Sequence, residues 1–178
     1  MRRRANRVFP IAAGFLLLAG GAAGQDMFGE KKYGEYYEED KQWAEQEEVT
    51  PPAYPNEQTL IEFDVGPAAR NRHYIDAATL NVGKDGVIRY VIVIKTSGGA
   101  TNVTYEGIRC DAMTRKAYAF GRGDMTWGNA RVSSWQPIVR GSYQAVLFRE
   151  YFCPGDIPIL KGEEGVDALK RGGHPDAK

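Results

Sequence analysis

Residues 87–96 read VIRYVIVIKT, and this stretch decides the fold. In an extended chain Ile88, Tyr90, Ile92 and Ile94 point one way and Val91 and Val93 the other, with Arg89 and Lys95 near the ends. Apolar residues on both faces of a period-two repeat mark a central strand covered on both sides. Gly83-Lys84-Asp85-Gly86 stands just before it, and Asp-Gly supplies the positive φ of a tight hairpin. The apolar residues 78–82 are therefore its expected partner.

The flanking segments extend the β pattern. Ile61, Phe63 and Val65 alternate with Glu62 and Asp64, and Tyr74-Ile75-Asp76 follows a Pro/Ala/Arg stretch. Beyond the Ser97-Gly98-Gly99-Ala100 turn, residues 102–110 form the next strand, whose apolar phase shifts from Val103 and Tyr105 to Ile108 and Cys110. Gly107 sits at the shift and suggests a β-bulge. Residues 115–120 (RKAYAF) alternate again, and Ser134-Trp135-Gln136-Pro137-Ile138 is a short extended piece. Residues 143–153 carry the 3.6-residue repeat of a helix, with Ala145, Phe148 and Phe152 on one stripe and Leu147 and Tyr151 beside it. Ser142 is the expected N-cap and Pro154-Gly155 the stop. The class that follows is α+β: an antiparallel sheet of five to six strands with a C-terminal helix.

The chain has 178 residues, with 23 Lys+Arg against 23 Asp+Glu, which suits one domain and gives no sign of nucleic-acid binding. That zero is an average over unlike parts. Residues 1–24 read as a secretory signal peptide: Arg2, Arg3, Arg4 and Arg7 precede a short apolar stretch and a run of small residues. The stretch is too short to span a bilayer, so no transmembrane span is expected in the mature chain. Removing the signal leaves acids in excess by four, and residues 26–48 hold nine acidic residues and three lysines. Residues 25–57 are expected to be an acidic, Pro-rich, disordered linker without aliphatic core residues before Val49. A sharper reading gives its aromatics, Tyr33, Tyr36, Tyr37 and Trp43, a docking role on a partner or on the chain's own domain. The globular domain is placed at residues 58–160 and a polar tail with a short helix at 161–178.

Export takes both cysteines into an oxidising compartment. Cys110 ends a strand and Cys153 ends the helix, so a disulfide between them ties helix to sheet, on the order of 3–4 kcal/mol by the chain-entropy model. A redox-active pair would need closely spaced cysteines, as in Cys-X-X-Cys, and this chain has none.

No catalytic set, metal site or cofactor fingerprint is found. His73 and His174 read as surface histidines, Asp85 and Asp111 as turn residues, and nothing in the pattern brings Asp64 and Asp76 together. Two binding-type features remain. Arg122-Gly123-Asp124 is an Arg-Gly-Asp tripeptide in a Gly-rich loop, a weak motif in a chain of this make-up. Trp127, Arg131, Trp135 and Arg140 form an aromatic and basic cluster of the kind that anchors interfaces.

Leu60-Ile61-Glu62-Phe63, Tyr74-Ile75-Asp76, the segments VGKDGVIRY at 82–90 and NVTYEGIRC at 102–110, Ala119-Phe120-Gly121, Trp127, Trp135-Gln136-Pro137-Ile138 and Tyr151-Phe152-Cys153-Pro154 together resemble the CNP1-like family. That resemblance covers residues 43–154 and implies an exported proteobacterial protein, but no activity. The layout is also similar to the surface-adhesin protein E family, which implies an antiparallel sheet with a helix tied to it by a disulfide. The expected function is a non-enzymatic binding domain in the periplasm or envelope of a Gram-negative bacterium, its partner an envelope protein or small ligand. An envelope hydrolase using a carboxylate or serine, and an adhesin-like surface protein, are the alternatives.

Overall fold

The computed structural model describes residues 43–46 and 48–177. The signal peptide assigned to residues 1–24 and the linker up to residue 42 lie outside the described residues. The strands are β1 (Leu60–Phe63), β2 (Arg72–Asp76), β3 (Asn81–Val82), β4 (Ile88–Lys95), β5 (Thr101–Arg109), β6 (Thr114–Gly121), β7 (Trp127–Asn129) and β8 (Gln136–Pro137). They form one antiparallel sheet in the order β1-β2-β4-β5-β6-β7, with β3 beside the first half of β4 and β8 beside the first half of β6. The strands beyond the expected six are two- or three-residue pieces, too short to show a period.

β4 lies inside the sheet and is buried from Ile88 to Val93, as its two-sided apolar pattern requires. The hairpin before it turns at Gly86, whose φ of +75° is costly for any residue with a Cβ. The first core lies under the helices. Ile75, Ile88, Tyr90, Ile92 and Ile108 project there from the sheet to meet Leu147, Phe148, Tyr151 and Phe152. The second lies on the opposite face and joins Tyr74, Val91, Val93, Val103, Tyr105 and Ala119.

The expected helix is present with a changed pitch. α1 (Tyr143–Val146) starts at Ser142, whose hydroxyl accepts from the Ala145 N–H at 3.2 Å, and continues as a π-helical turn over Leu147–Phe152. The wide turn closes with the Cys153 N–H donating to the Phe148 carbonyl at 2.9 Å. Leu147, Phe148, Tyr151 and Phe152 are all buried along this turn. Cys153 then reaches Cys110 in a disulfide with a Cα–Cα distance of 5.6 Å. α2 (Gly162–Arg171) packs Ala168 and Leu169 into the same core, so the tail assigned to residues 161–178 is part of the folded body.

β5 corrects one expectation. It alternates without a break: Val103, Tyr105 and Gly107 lie on one face and Glu106, Ile108 and Cys110 on the other. The irregularity sits between Tyr105 and Glu106, opposite an extra residue, Tyr118, on β6. What reads as a phase shift is a buried glutamate followed by a residue without a side chain. Gly107 leaves room for the Tyr118 ring; a Cβ there would stand 3.0 Å from it and 2.8 Å from Val87.

Candidate functional site

Among the described residues no helix closes the second face. Residues 43–46 and 48–55, expected as linker, cross it as a strap and join the folded body. The segment has no Leu, Ile or Val before Val49, which packs on the second core, and its two ends are held by aromatic and polar contacts.

At the first end the Trp43 ring lies over the Arg109 guanidinium, 3.5 Å from ring centroid to Cζ, and meets Trp135 edge-on at 5.7 Å. Its indole N–H donates to the Asp85 carbonyl at 2.8 Å. Two residues on, Glu45 accepts from Lys116 Nζ at 2.8 Å, the Tyr118 hydroxyl at 2.8 Å and the Trp135 indole at 3.2 Å. Burial works against the Glu45 charge, but bonds from Lys116 and Tyr118 outweigh it and hold its pKa below the ordinary range. The Gln46 N–H donates to Asp85 Oδ2 at 2.9 Å.

Asp85 is more than the turn residue expected. Its carboxylate makes a two-pronged pair with Arg89, at 2.9 and 2.6 Å, the Asp85 side chain 4% exposed and that of Arg89 3%. Burial opposes ionisation, yet the Arg89 bonds and the N–H groups of Gln46 and Val87 hold the carboxyl at about 2. The pair fixes the β3–β4 turn, and the turn fixes the strap.

At the second end Trp127, on β7, donates its indole N–H to the Pro52 carbonyl at 2.8 Å and packs against Tyr54 at 5.2 Å. The Tyr54 hydroxyl donates to the Arg122 carbonyl at 3.2 Å. Beyond the strap opens a groove of about 510 Å³ lined by Tyr54, Leu60, Val93, Val103, Arg122 and Met125. Met125 is 71% exposed at its rim.

The structure divides the candidate cluster. Trp127 and Trp135 share a face but stand at opposite ends of β6, each engaged by the strap. Arg131 is exposed beyond β7, and Arg140 lines a separate recess of about 170 Å³ with Met113, Ile138 and Phe148. Arg122-Gly123-Asp124 forms the exposed β6–β7 turn. Its charges are tied down, Arg122 donating to the Trp127 carbonyl at 2.8 Å and Asp124 accepting from the Thr126 hydroxyl at 2.7 Å.

Neither histidine is a surface residue. His73 is 8% exposed, edge-on to Phe63, and desolvation lowers its pKa. The His174 side chain is 7% exposed and lies 3.1 Å from Glu164. Asp64 closes a turn onto the Gly66 N–H and Asp76 onto the Ala78 N–H, at opposite ends of the β1–β2 ladder. Among the described residues no three His, Cys, Asp or Glu side chains gather as metal ligands, and no helix is long and apolar enough to cross a membrane.

Sequence reasoning missed Glu106. It is 3% exposed on the helix-covered face, accepting from Tyr143 at 2.7 Å, Tyr90 at 3.1 Å and Gln144 at 3.4 Å. Burial raises its pKa, only partly offset by these bonds and the Arg115 charge. Even period-two counting would place it among apolar neighbours, which is the one signal the sequence carries.

Comparison with known proteins gives one family. The sequence pattern of the CNP1-like family matches residues 38–170, taking in the strap, the sheet and α2. Cryptic neisserial protein 1 of Neisseria gonorrhoeae is 29% identical over 103 residues, covering 47% of this chain and 49% of the relative. The chain thus spans about half the length of that curated relative. No solved structure matches.

Proposed function

The chain belongs to the CNP1-like family, and we propose that it is an exported, envelope-located binding protein that uses its strap-covered sheet face. The observation that carries this reading is the groove of about 510 Å³ beside the β6–β7 turn. Apolar side chains from β4 and β5 form its floor, Arg122 gives its rim a charge, and Met125 is left uncovered. A concave site with an apolar floor and few polar groups suits a small ligand or a side chain of a partner. The Cys110–Cys153 disulfide supports the compartment, since such bonds persist outside reducing cytosol.

The test is expression of the full chain in a Gram-negative host with a photoreactive amino acid at Met125 or, as control, at Leu160. The expected product is periplasmic, shortened at its N-terminus and without titratable thiols, and it crosslinks from Met125 but not from Leu160. A full-length cytoplasmic chain with two reactive thiols would refute export. Equal crosslinking from both positions would refute the groove.

A further inference from the structure

The strap holds to the sheet face as a ligand holds to a site. In an extended segment residues i and i+2 point the same way. Trp43 and Glu45 both turn toward the sheet while Ala44 between them is exposed. The face receives them with matched chemistry: Arg109 and the Trp135 edge for the aromatic ring, Lys116, Tyr118 and the Trp135 indole for the carboxylate. Lys116 is 16% exposed and Glu45 22%, so the ion pair is partly shielded from water. The Asp85 carbonyl and carboxylate orient the segment through the Trp43 indole and the Gln46 N–H.

These contacts read an aromatic residue followed two positions later by glutamate. The same triplet recurs upstream in this chain, as Phe28-Gly29-Glu30, Tyr33-Gly34-Glu35, Tyr36-Tyr37-Glu38 and Tyr37-Glu38-Glu39. We propose that the cleft formed by Arg109, Lys116, Tyr118 and Trp135 is a recognition site for aromatic-x-Glu segments, occupied in cis by Trp43–Glu45 and open in trans to the Tyr33–Glu39 run of a second copy. The cis segment is tethered and competes at a high effective concentration, so the site takes a second chain's segment when the strap lifts. This site stands apart from the groove at Met125, so either can fail without the other.

The probe is a fluorescein-labelled peptide of residues 31–40, KKYGEYYEED, read by anisotropy against the full chain. The expected result is binding to a Trp43→Ala, Glu45→Ala double variant at least about ten-fold tighter than to wild type. Unlabelled peptide of residues 41–50 displaces it. Binding is lost when Lys116→Ala is added or when the peptide glutamates become glutamine. The folded state of each variant is checked by near-UV circular dichroism and a cooperative denaturation transition, and Glu45→Gln alone serves if the double variant does not fold. No binding to a folded strap variant overturns the proposal. So does equal binding to wild type, or binding indifferent to Lys116 and the peptide carboxylates.

Discussion

Under the helices the sheet buries Ile75, Ile88, Tyr90, Ile92 and Ile108 completely against Leu147 and Phe152, and a disulfide ties the two layers. Across the sheet Val91, Val93 and Tyr105 are buried to a similar degree, but their outer cover is one strap gripped by two tryptophans, an arginine and a lysine. The first face is closed by apolar area, which no single contact releases. The second is closed by a handful of directional contacts, each worth about a kcal/mol or less at this exposure. One side of β4 therefore serves as foundation and the other can open.

Substitutions can break that asymmetry. Phe152→Ala empties a fully buried site on the helix-covered face and is expected to cost about 3–5 kcal/mol in chemical denaturation. A cost below about 1 kcal/mol would mean that this face is no better packed than the other. Cys110→Ser comes next. Loss of the disulfide is expected to lower stability by about 2–4 kcal/mol while leaving strap contacts in place, read as unchanged Trp43 fluorescence in the folded baseline.

The third prediction concerns charge within the foundation. Burial raises the pKa of Glu106, so its contribution to stability is complete below the ordinary carboxylate value of 4.5 and fades as pH rises through the folded value. Tyr90 from β4, Tyr143 and Gln144 from α1 and Arg115 from β6 are the groups that face it. Asp85 under the strap has the opposite sign: held at about 2, it stabilises above its ordinary 3.8 and loses this as pH falls toward 2. Glu106→Gln is expected to flatten the loss of stability as pH rises above the ordinary carboxylate range, and to match or exceed wild type where the Glu106 carboxyl has ionised. A variant that keeps the wild-type slope would show that Glu106 is not its source.

The smallest effect belongs to the strap. Trp43→Ala is expected to cost about 1 kcal/mol or less globally, yet to raise proteolysis after Lys41 and within residues 43–55 several-fold. A global loss as large as that of Phe152→Ala would erase the contrast between the faces.

Much of the foundation was legible in the sequence. The two-sided run in β4, the Asp-Gly turn, the helical stripes after Ser142 and the pairing of Cys110 with Cys153 all rest on local period or compartment chemistry. The strap was harder to read because hydrophobic periodicity has little hold on a segment whose one branched aliphatic residue is Val49, and Trp43 finds its partners more than 40 positions away. Its docking appeared only as the sharper reading of those aromatics. Glu106 imitated a phase shift because a buried carboxylate between apolar neighbours breaks the pattern that locates strands. The cluster of Trp127, Arg131, Trp135 and Arg140 looked continuous because it is close in sequence, whereas the antiparallel return along β6 separates its members. The pairing of Trp43 with Glu45 became visible only beside Arg109 and Lys116.

Native-state hydrogen exchange resolved by residue tests most directly the claim that the two faces are closed by different means. The Gln46 N–H, bonded to Asp85, is predicted to exchange through a local opening well below the global unfolding free energy, while amides in β4 and β5 exchange only with global unfolding. Exchange of Gln46 together with β4 and β5, at one common free energy, would contradict the account.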